Sequence, residues 1–217
     1  MKTDSQLRAD VEAELRWSPE LDDRDIAVKA DAGVVTLTGY VDSYFDKTRA
    51  EIATKRVAGV AGVANDIEVR LPDHDRIADP DLAREMVAAI RLQSPETAPG
   101  IKVLVEQGRV TLEGEVAWHF QRDTIEGIAR QLRGVCGVTN LITIRPRIMA
   151  MDVKRSITQA LHRSAQLDAE SIRVDVEGNQ ITLNGHVKSW SEREEAAKTA
   201  WAAPGVTTVH NEIRVSP

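Results

Sequence analysis

Aromatic and basic residues recur together in three windows of this sequence, a pairing suited to contact with an anion or an amphiphilic surface. Counted from Gly39, Gly114 and Gly185, positions four to six hold Tyr44 and Phe45, then Trp118 and Phe120, then Trp190. These are five of the chain's eight aromatics, and position eight is basic each time, as Lys47, Arg122 and Arg193. Rings beside a cation are what a head-group-facing surface needs, since the ring sits at an apolar–polar boundary while the cation meets an anion. Where such a window opens a helix, the unbonded N–H groups of the first turn favour an anion as well. The competing use of the same rings is to cover the ends of small cores or to pack between copies of a repeated unit.

The remaining reactive side chains do not converge on a reaction. His74, His119, His162, His186 and His210 show no metal-ligand spacing and fall at mostly different positions relative to the glycines. Cys136 is the single cysteine, so it forms no internal disulfide, and it lies in a glycine-flanked turn where a small residue fits. Gly59-Val60-Ala61-Gly62 and Gly134-Val135-Cys136-Gly137 have the outline of a nucleotide-clamping GXXG loop. Their middle positions are uncharged, however, and the third copy has Thr208 in place of the last glycine, so they read as helix stops. Asp73, Asp75, Asp79 and Asp81 carry oxygens enough for a hard cation but follow no loop pattern and fall in a linker. The expectation is a protein without catalytic residues, metal or cofactor.

Composition narrows the partners. The 28 Lys and Arg against 34 Asp and Glu give a net charge of −6, which disfavours nucleic acid. With 42% apolar and 29% charged residues the chain belongs with folded globular proteins, outside the disordered and collagenous classes. No apolar run approaches the roughly 18–20 residues of a membrane span. Residues 1–8 lack the hydrophobic stretch of a signal peptide, so the sequence reads as cytoplasmic, or as periplasmic should an export segment precede it.

The windows are positioned by a unit that occurs three times. Offsets of 75 and then 71 residues carry Gly39 to Gly114 to Gly185, Gly59 to Gly134 to Gly205, and Asn65 to Asn140 to Asn211. The same offsets carry Leu15 to Ile90 to Leu161 and Ile67 to Ile142 to Ile213. Each copy opens with apolar residues four apart (Leu7, Val11, Leu15; Leu82, Met86, Ile90; Val153, Ile157, Leu161), the buried stripe of a helix. Alternating pairs such as Ile26 and Val28 predict a first strand, and Asp31 with Gly33, Gly108, or Gly178-Asn179 a hairpin turn. Val35, Leu37 and Val41 and their equivalents predict a second strand, whose glycine marks a bulge or a close backbone crossing. A second helix opens with capping boxes at Ser43-x-x-Asp46 and Ser189-x-x-Glu192, of which Trp118-x-x-Gln121 keeps half. A last strand runs through Val63, Ile67 and Val69. The linkers are Arg70 to Asp81, where Asp79 and Pro80 would cap and start a helix, and Arg145 to Asp152 with Pro146 and Arg147.

The expected class is therefore α+β: three tandem αββαβ repeats at residues 1–71, 78–146 and 149–217, each a three-stranded mixed sheet with two helices on one face. Units this small have marginal cores, which favours packing between copies. The pattern resembles the BON domain, the repeat of bacterial osmotic-stress and nodulation proteins, through Gly33-Val34-Val35-Thr36-Leu37-Thr38-Gly39-Tyr40-Val41 and Gly59-Val60-Ala61-Gly62-Val63-Ala64-Asn65-Asp66-Ile67. Gly134 to Asn140 and Gly205 to Asn211 repeat the second motif. The resemblance implies a non-enzymatic binding module associated with envelope or osmotic stress, contacting phospholipid or a membrane-associated protein. Two other readings stay open: a soluble protein-interaction scaffold, and potassium or small-ligand binding between repeats. On the first reading the ligand surface would hold Tyr44, Phe45, Lys47, Trp118, Phe120, Arg122, Trp190 and Arg193.

Overall fold

The protein is described here by a computed structural model covering residues 2–19, 21–145, 153–164 and 171–215. The three apolar stripes are the buried sides of α1 (Asp4–Trp17), α3 (Asp79–Gln93) and α5 (Val153–Arg163). Each is followed by a hairpin: β1 (Ile26–Asp31) with β2 (Val34–Val41), β4 (Ile101–Glu106) with β5 (Arg109–Val116), and β7 (Ile172–Glu177) with β8 (Gln180–Val187). The second helices are α2 (Tyr44–Arg56), α4 (His119–Gln131) and α6 (Trp190–Trp201), leading into β3 (Gly62–Val69), β6 (Gly137–Ile144) and β9 (Thr208–Val215). In every sheet the middle strand pairs antiparallel with the first and parallel with the last, as expected of αββαβ units.

Each unit closes its own core. In the first, Leu7, Val11 and Leu15 of α1 and Ala50 and Ala53 of α2 bury Val35, Leu37 and Ile67 from one face of the sheet. The second and third units repeat the arrangement around Leu112 and Leu183. Alternation along β2 explains this, since Val35 and Leu37 point to the helices while Val34 and Thr38 face outward.

The strand glycine turns out to mark a close crossing. Gly39, Gly114 and Gly185 have φ of +121°, +141° and +141°. A Cβ at these sites would lie 1.9, 2.2 and 1.9 Å from the carbonyl oxygens of Asp25, Gly100 and Ser171, just ahead of the first strand. The loop after the second helix then folds onto the hairpin: the N–H groups of Ala61, Cys136 and Thr207 donate to Gly33, Gly108 and Asn179 oxygens at 2.8, 2.8 and 2.9 Å. Cys136 is thus a half-buried loop residue, and burial pushes its thiol up from the ordinary value, away from thiolate reactivity.

Several local expectations change. Asp79 does not cap α3, whose N-cap is Ala78; its carboxylate instead accepts the N–H groups of Gln107 and Gly108 at 2.8 and 2.9 Å, fastening the second unit's hairpin. Ser43 accepts the Asp46 N–H at 3.0 Å, but the Asp46 carboxylate takes the Ser43 hydroxyl rather than a backbone N–H. A reciprocal box forms at Thr3 and Gln6, a spacing the sequence reading passed over. The four linker aspartates do not converge: Asp75 pairs with Arg133, Asp73 with Arg76, and Asp81 with Arg84. With Ile77 packed against the second core, this linker is docked on the unit that follows. The second linker beyond Arg145, with Pro146, Arg147 and Asp152, and the boundary at residue 149, lie outside the described residues.

The crossing predicts a sharp contrast between glycines. Gly39→Ala forces a Cβ onto a backbone oxygen and should lower stability by about 2–4 kcal/mol. Gly127→Ala on α4, where an added Cβ meets nothing within 4 Å, should be neutral or stabilising by up to about 1 kcal/mol. Chemical denaturation of the two variants distinguishes them.

Candidate functional site

The aromatic windows lie where the three second helices meet. Tyr44 is the first residue of α2, Trp190 the first of α6, and Trp118 the N-cap of α4, with His119 opening that helix. The offsets of 75 and 71 make Tyr44, His119 and Trp190 equivalent, and likewise Lys55, Arg130 and Trp201 at the far ends of the same helices. The structure joins one set to the other. Tyr44 packs against the second unit's core and lines a groove with Arg130 of α4. The His119 ring stacks on Trp201 of α6, with centroids 4.1 Å apart and planes 19° from parallel. Trp190 receives Lys55 of α2 over its ring, with Nζ 5.6 Å from the centroid. The start of each helix thus meets the end of the next in a closed order: α2 on α4, α4 on α6, α6 on α2.

Charge reinforces the last of these contacts. Lys55 Nζ lies 2.9 Å from Glu51 of its own helix and 3.1 Å from Glu194 of α6, 139 residues away in sequence. Glu194 also accepts the indole N–H of Trp190 at 3.2 Å. Desolvation alone would raise Glu51 and lower Lys55, but their mutual bond and charge prevail, helped by Asn65 and Arg130 on Glu51 and by Glu194 on Lys55. Glu51 is consequently held below the usual glutamate value and Lys55 above the usual lysine value.

Two of the basic residues at position eight, Lys47 and Arg193, turn inward to a sheet edge. The last strand of each unit has an unpaired side, and residues of the preceding helix cover it. Asn65 Oδ1 accepts the Ile67 N–H at 3.4 Å, Lys47 Nζ donates to the Ile67 oxygen at 2.7 Å, and Asn65 Nδ2 donates back to the Lys47 oxygen at 3.1 Å. The third unit repeats this with Asn211 and Arg193, whose Nε donates to the Ile213 oxygen at 3.0 Å. In the second unit Asn140 holds Ile142 and donates to Glu126, as Asn65 donates to the equivalent Glu51 at 3.3 Å, while the Nε of Arg122 is enclosed without an acceptor among the described residues.

Of the eight residues expected to form one surface, then, Tyr44 and Trp190 sit between units and Lys47 and Arg193 clamp strand edges. Phe45 is half-buried beneath Arg49, whose guanidinium carbon is 4.6 Å from the ring centroid. Trp118 and Arg122 are half-buried, and Phe120, at 64% exposure, is the ring of the set that faces outward. Sequence reasoning missed His119 and Trp201, which the repeat offsets pick out. It also missed a more exposed pair: Trp17 and Leu92, each 83% exposed, are equivalent residues at the ends of α1 and α3. Arg16 and Arg91 precede them at equivalent positions. Both fall just past the last buried residue of the stripe, Leu15 or Ile90, and the same offset would have flagged them.

Three αββαβ units, a strand glycine against a backbone oxygen in each, and an asparagine-held sheet edge define the class. The sequence matches the BON domain over residues 3–70, 78–146 and 152–217, and the chain belongs to the BON domain family. It is similar to Osmotically-inducible protein Y of Escherichia coli (strain K12), 33% identical over 141 residues that make up 63% of this chain and 70% of that protein. Among solved structures, CdsD, a structural protein of the type III secretion system of Chlamydia trachomatis, aligns over 96% of this chain and 91% of that chain, at 15% identity and a TM-score of 0.28. Its C-terminal domain aligns over the whole of both chains at 16% identity and a TM-score of 0.28. Superposition that loose carries no argument about this chain.

The junction between the first and third units yields a prediction with a pH signature. A lowered Glu51 stabilises the fold fully above the unfolded value of about 4.3 and is lost as pH falls through its folded value; a raised Lys55 stabilises below about 10.4 and is lost as pH rises past its folded value. Contact between these units should therefore be level across neutral pH. Lys55→Met, keeping the side-chain stem, should cost about 1–2 kcal/mol and increase the radius of gyration in X-ray scattering at pH 7 while helix content is unchanged.

Proposed function

We propose that this chain is a non-enzymatic BON-type binding protein of osmotic or envelope stress, contacting anionic phospholipid or a membrane-associated partner. Membership of the family and similarity to Osmotically-inducible protein Y support the stress association. The non-catalytic reading is supported by the residues the copies share: Asn65 and Asn211, Lys47 and Arg193, and the strand glycines each hold backbone in place. Among the described residues no group of three or more histidine, cysteine or acidic side chains is arranged to hold a metal, and no helix is long and apolar enough to cross a membrane.

One observation carries the lipid contact. Arg16-Trp17 and Arg91-Leu92 each put a large apolar side chain, 83% exposed, beside a cation at the same place in two units. An amphiphilic tip of this kind inserts its ring or branched chain at the polar boundary of a bilayer while the arginine meets a phosphate. Phe120, 64% exposed, adds a third outward apolar side chain. The second reading, a scaffold for a soluble protein, is favoured by Tyr44, His119 and Trp190, because their use between units makes a preassembled body with open sheet faces.

Flotation with vesicles of phosphatidylglycerol and phosphatidylcholine, against phosphatidylcholine alone, separates the two. The chain should float with the anionic vesicles only, and Trp17→Ser with Leu92→Ser should reduce binding by about tenfold or more. Absence of flotation, or flotation indifferent to those substitutions, would leave the scaffold reading in possession.

A further inference from the structure

A cleft of about 460 Å³ opens in the second unit between α3 and the outer strand of its sheet, walled by Val87, Ile90 and Arg91 of the helix, Ala98 and Pro99 of the connecting turn, and Val103 of β4. β4 is an edge strand, so the cleft lies at the border of the sheet. Among the described residues that wall it, Arg91 is the charged one, and its exposed side chain enters no ion pair with any described residue. The other two copies serve as an internal control. Where copy two has Val87, Ala98 and Pro99, the repeat offset places Glu12, Asp23 and Arg24 in copy one. In copy three Thr158 and Glu170 stand for Val87 and Pro99. Polar and charged residues therefore satisfy the fold at these positions, and the apolar lining of copy two answers to something else. An open apolar concavity gains when an apolar body displaces its water.

The walls define that body. Small-molecule sites are mostly apolar, with a few polar groups that fix orientation, and here one guanidinium has that place. An arginine selects an anionic head, and the paired oxygens of a carboxylate match its fork. The volume lies in the lower half of the range for ligand sites, room for one acyl chain of middle length but not for the paired chains of a phospholipid. We propose that the cleft between α3 and β4 binds a single medium-chain fatty acid, its chain against Val87, Pro99 and Val103 and its carboxylate on Arg91. The site goes beyond the bilayer contact and does not rest on it. Trp17 belongs to another unit and Leu92 does not line the cleft, so Arg91 alone is common to both.

Calorimetric titration of the full chain with monomeric decanoate, hexanoate and decyltrimethylammonium tests chain and head separately. Decanoate should bind at one site, with hexanoate and decyltrimethylammonium each at least about tenfold weaker. Val87→Glu writes into copy two the residue that copy one holds half-buried on the same helix face, so it should fold with little change in thermal midpoint and lose decanoate binding. Arg91→Gln, at an exposed position, should weaken decanoate about fivefold. No heat with decanoate, or full affinity in both variants, overturns the site. Equal affinity for decyltrimethylammonium overturns the carboxylate, and equal affinity for hexanoate overturns the acyl chain. Flotation with phosphatidylglycerol vesicles keeps the two readings apart. Decanoate binding by a chain that does not float retains the cleft while the bilayer contact fails, and flotation without decanoate binding does the reverse. Displacement of decanoate by the vesicles would assign the cleft to the bilayer and overturn the soluble ligand, whereas undiminished flotation of Val87→Glu supports two separate sites.

Discussion

A three-stranded sheet has one interior strand and two edges, so most of its backbone polarity lies at a border that something must cover. In each unit of this protein the helix that leads into the last strand also seals it. An asparagine on the strand takes the outward N–H two residues ahead, and in the first and third units a lysine or arginine on the helix takes the outward carbonyl. The same bonds fix how the helix lies on the sheet, and with it where the helix begins and ends. Because helix ends are where the units touch, the geometry of the whole assembly follows from that local seal.

The three contacts between units share one plan and differ in chemistry. A tyrosine against a core beside arginine, a histidine stacked on a tryptophan, and a tryptophan beneath a lysine all connect the first residue of one helix to the residue eleven places further on in its neighbour. The first is the most apolar and the last the most charged. Among the described residues the third unit's core includes no side chain of the first, and Lys55, Trp190 and Glu194 link these two units through charge and ring contact.

Much of the fold was legible because period and punctuation agree in all three copies. The apolar stripes became the buried sides of three helices, and the strand glycine announced a close approach without saying to what; the carbonyls of Asp25, Gly100 and Ser171 lie far from it in sequence. Asp79 misled because aspartate before proline has the form of a cap, while its carboxylate is drawn off by two N–H groups of a hairpin nearly thirty residues on. The aromatic window was correctly seen as recurrent, but recurrence does not say which way a ring points. Trp17 and Leu92 escaped notice because one is aromatic and the other aliphatic; the repeat offset makes them equivalent, and their shared exposure gives that equivalence a meaning.

The closed order of contacts has a bearing on how substitutions act. Each unit offers its helix start to one neighbour and its helix end to the other, a heterologous joint, and after three joints the path returns to its beginning. In a ring of identical subunits a single substitution would alter every joint at once. Carried on one polypeptide, Tyr44, His119 and Trp190 can each be changed alone, so each joint can be weakened while the other two still hold the ring.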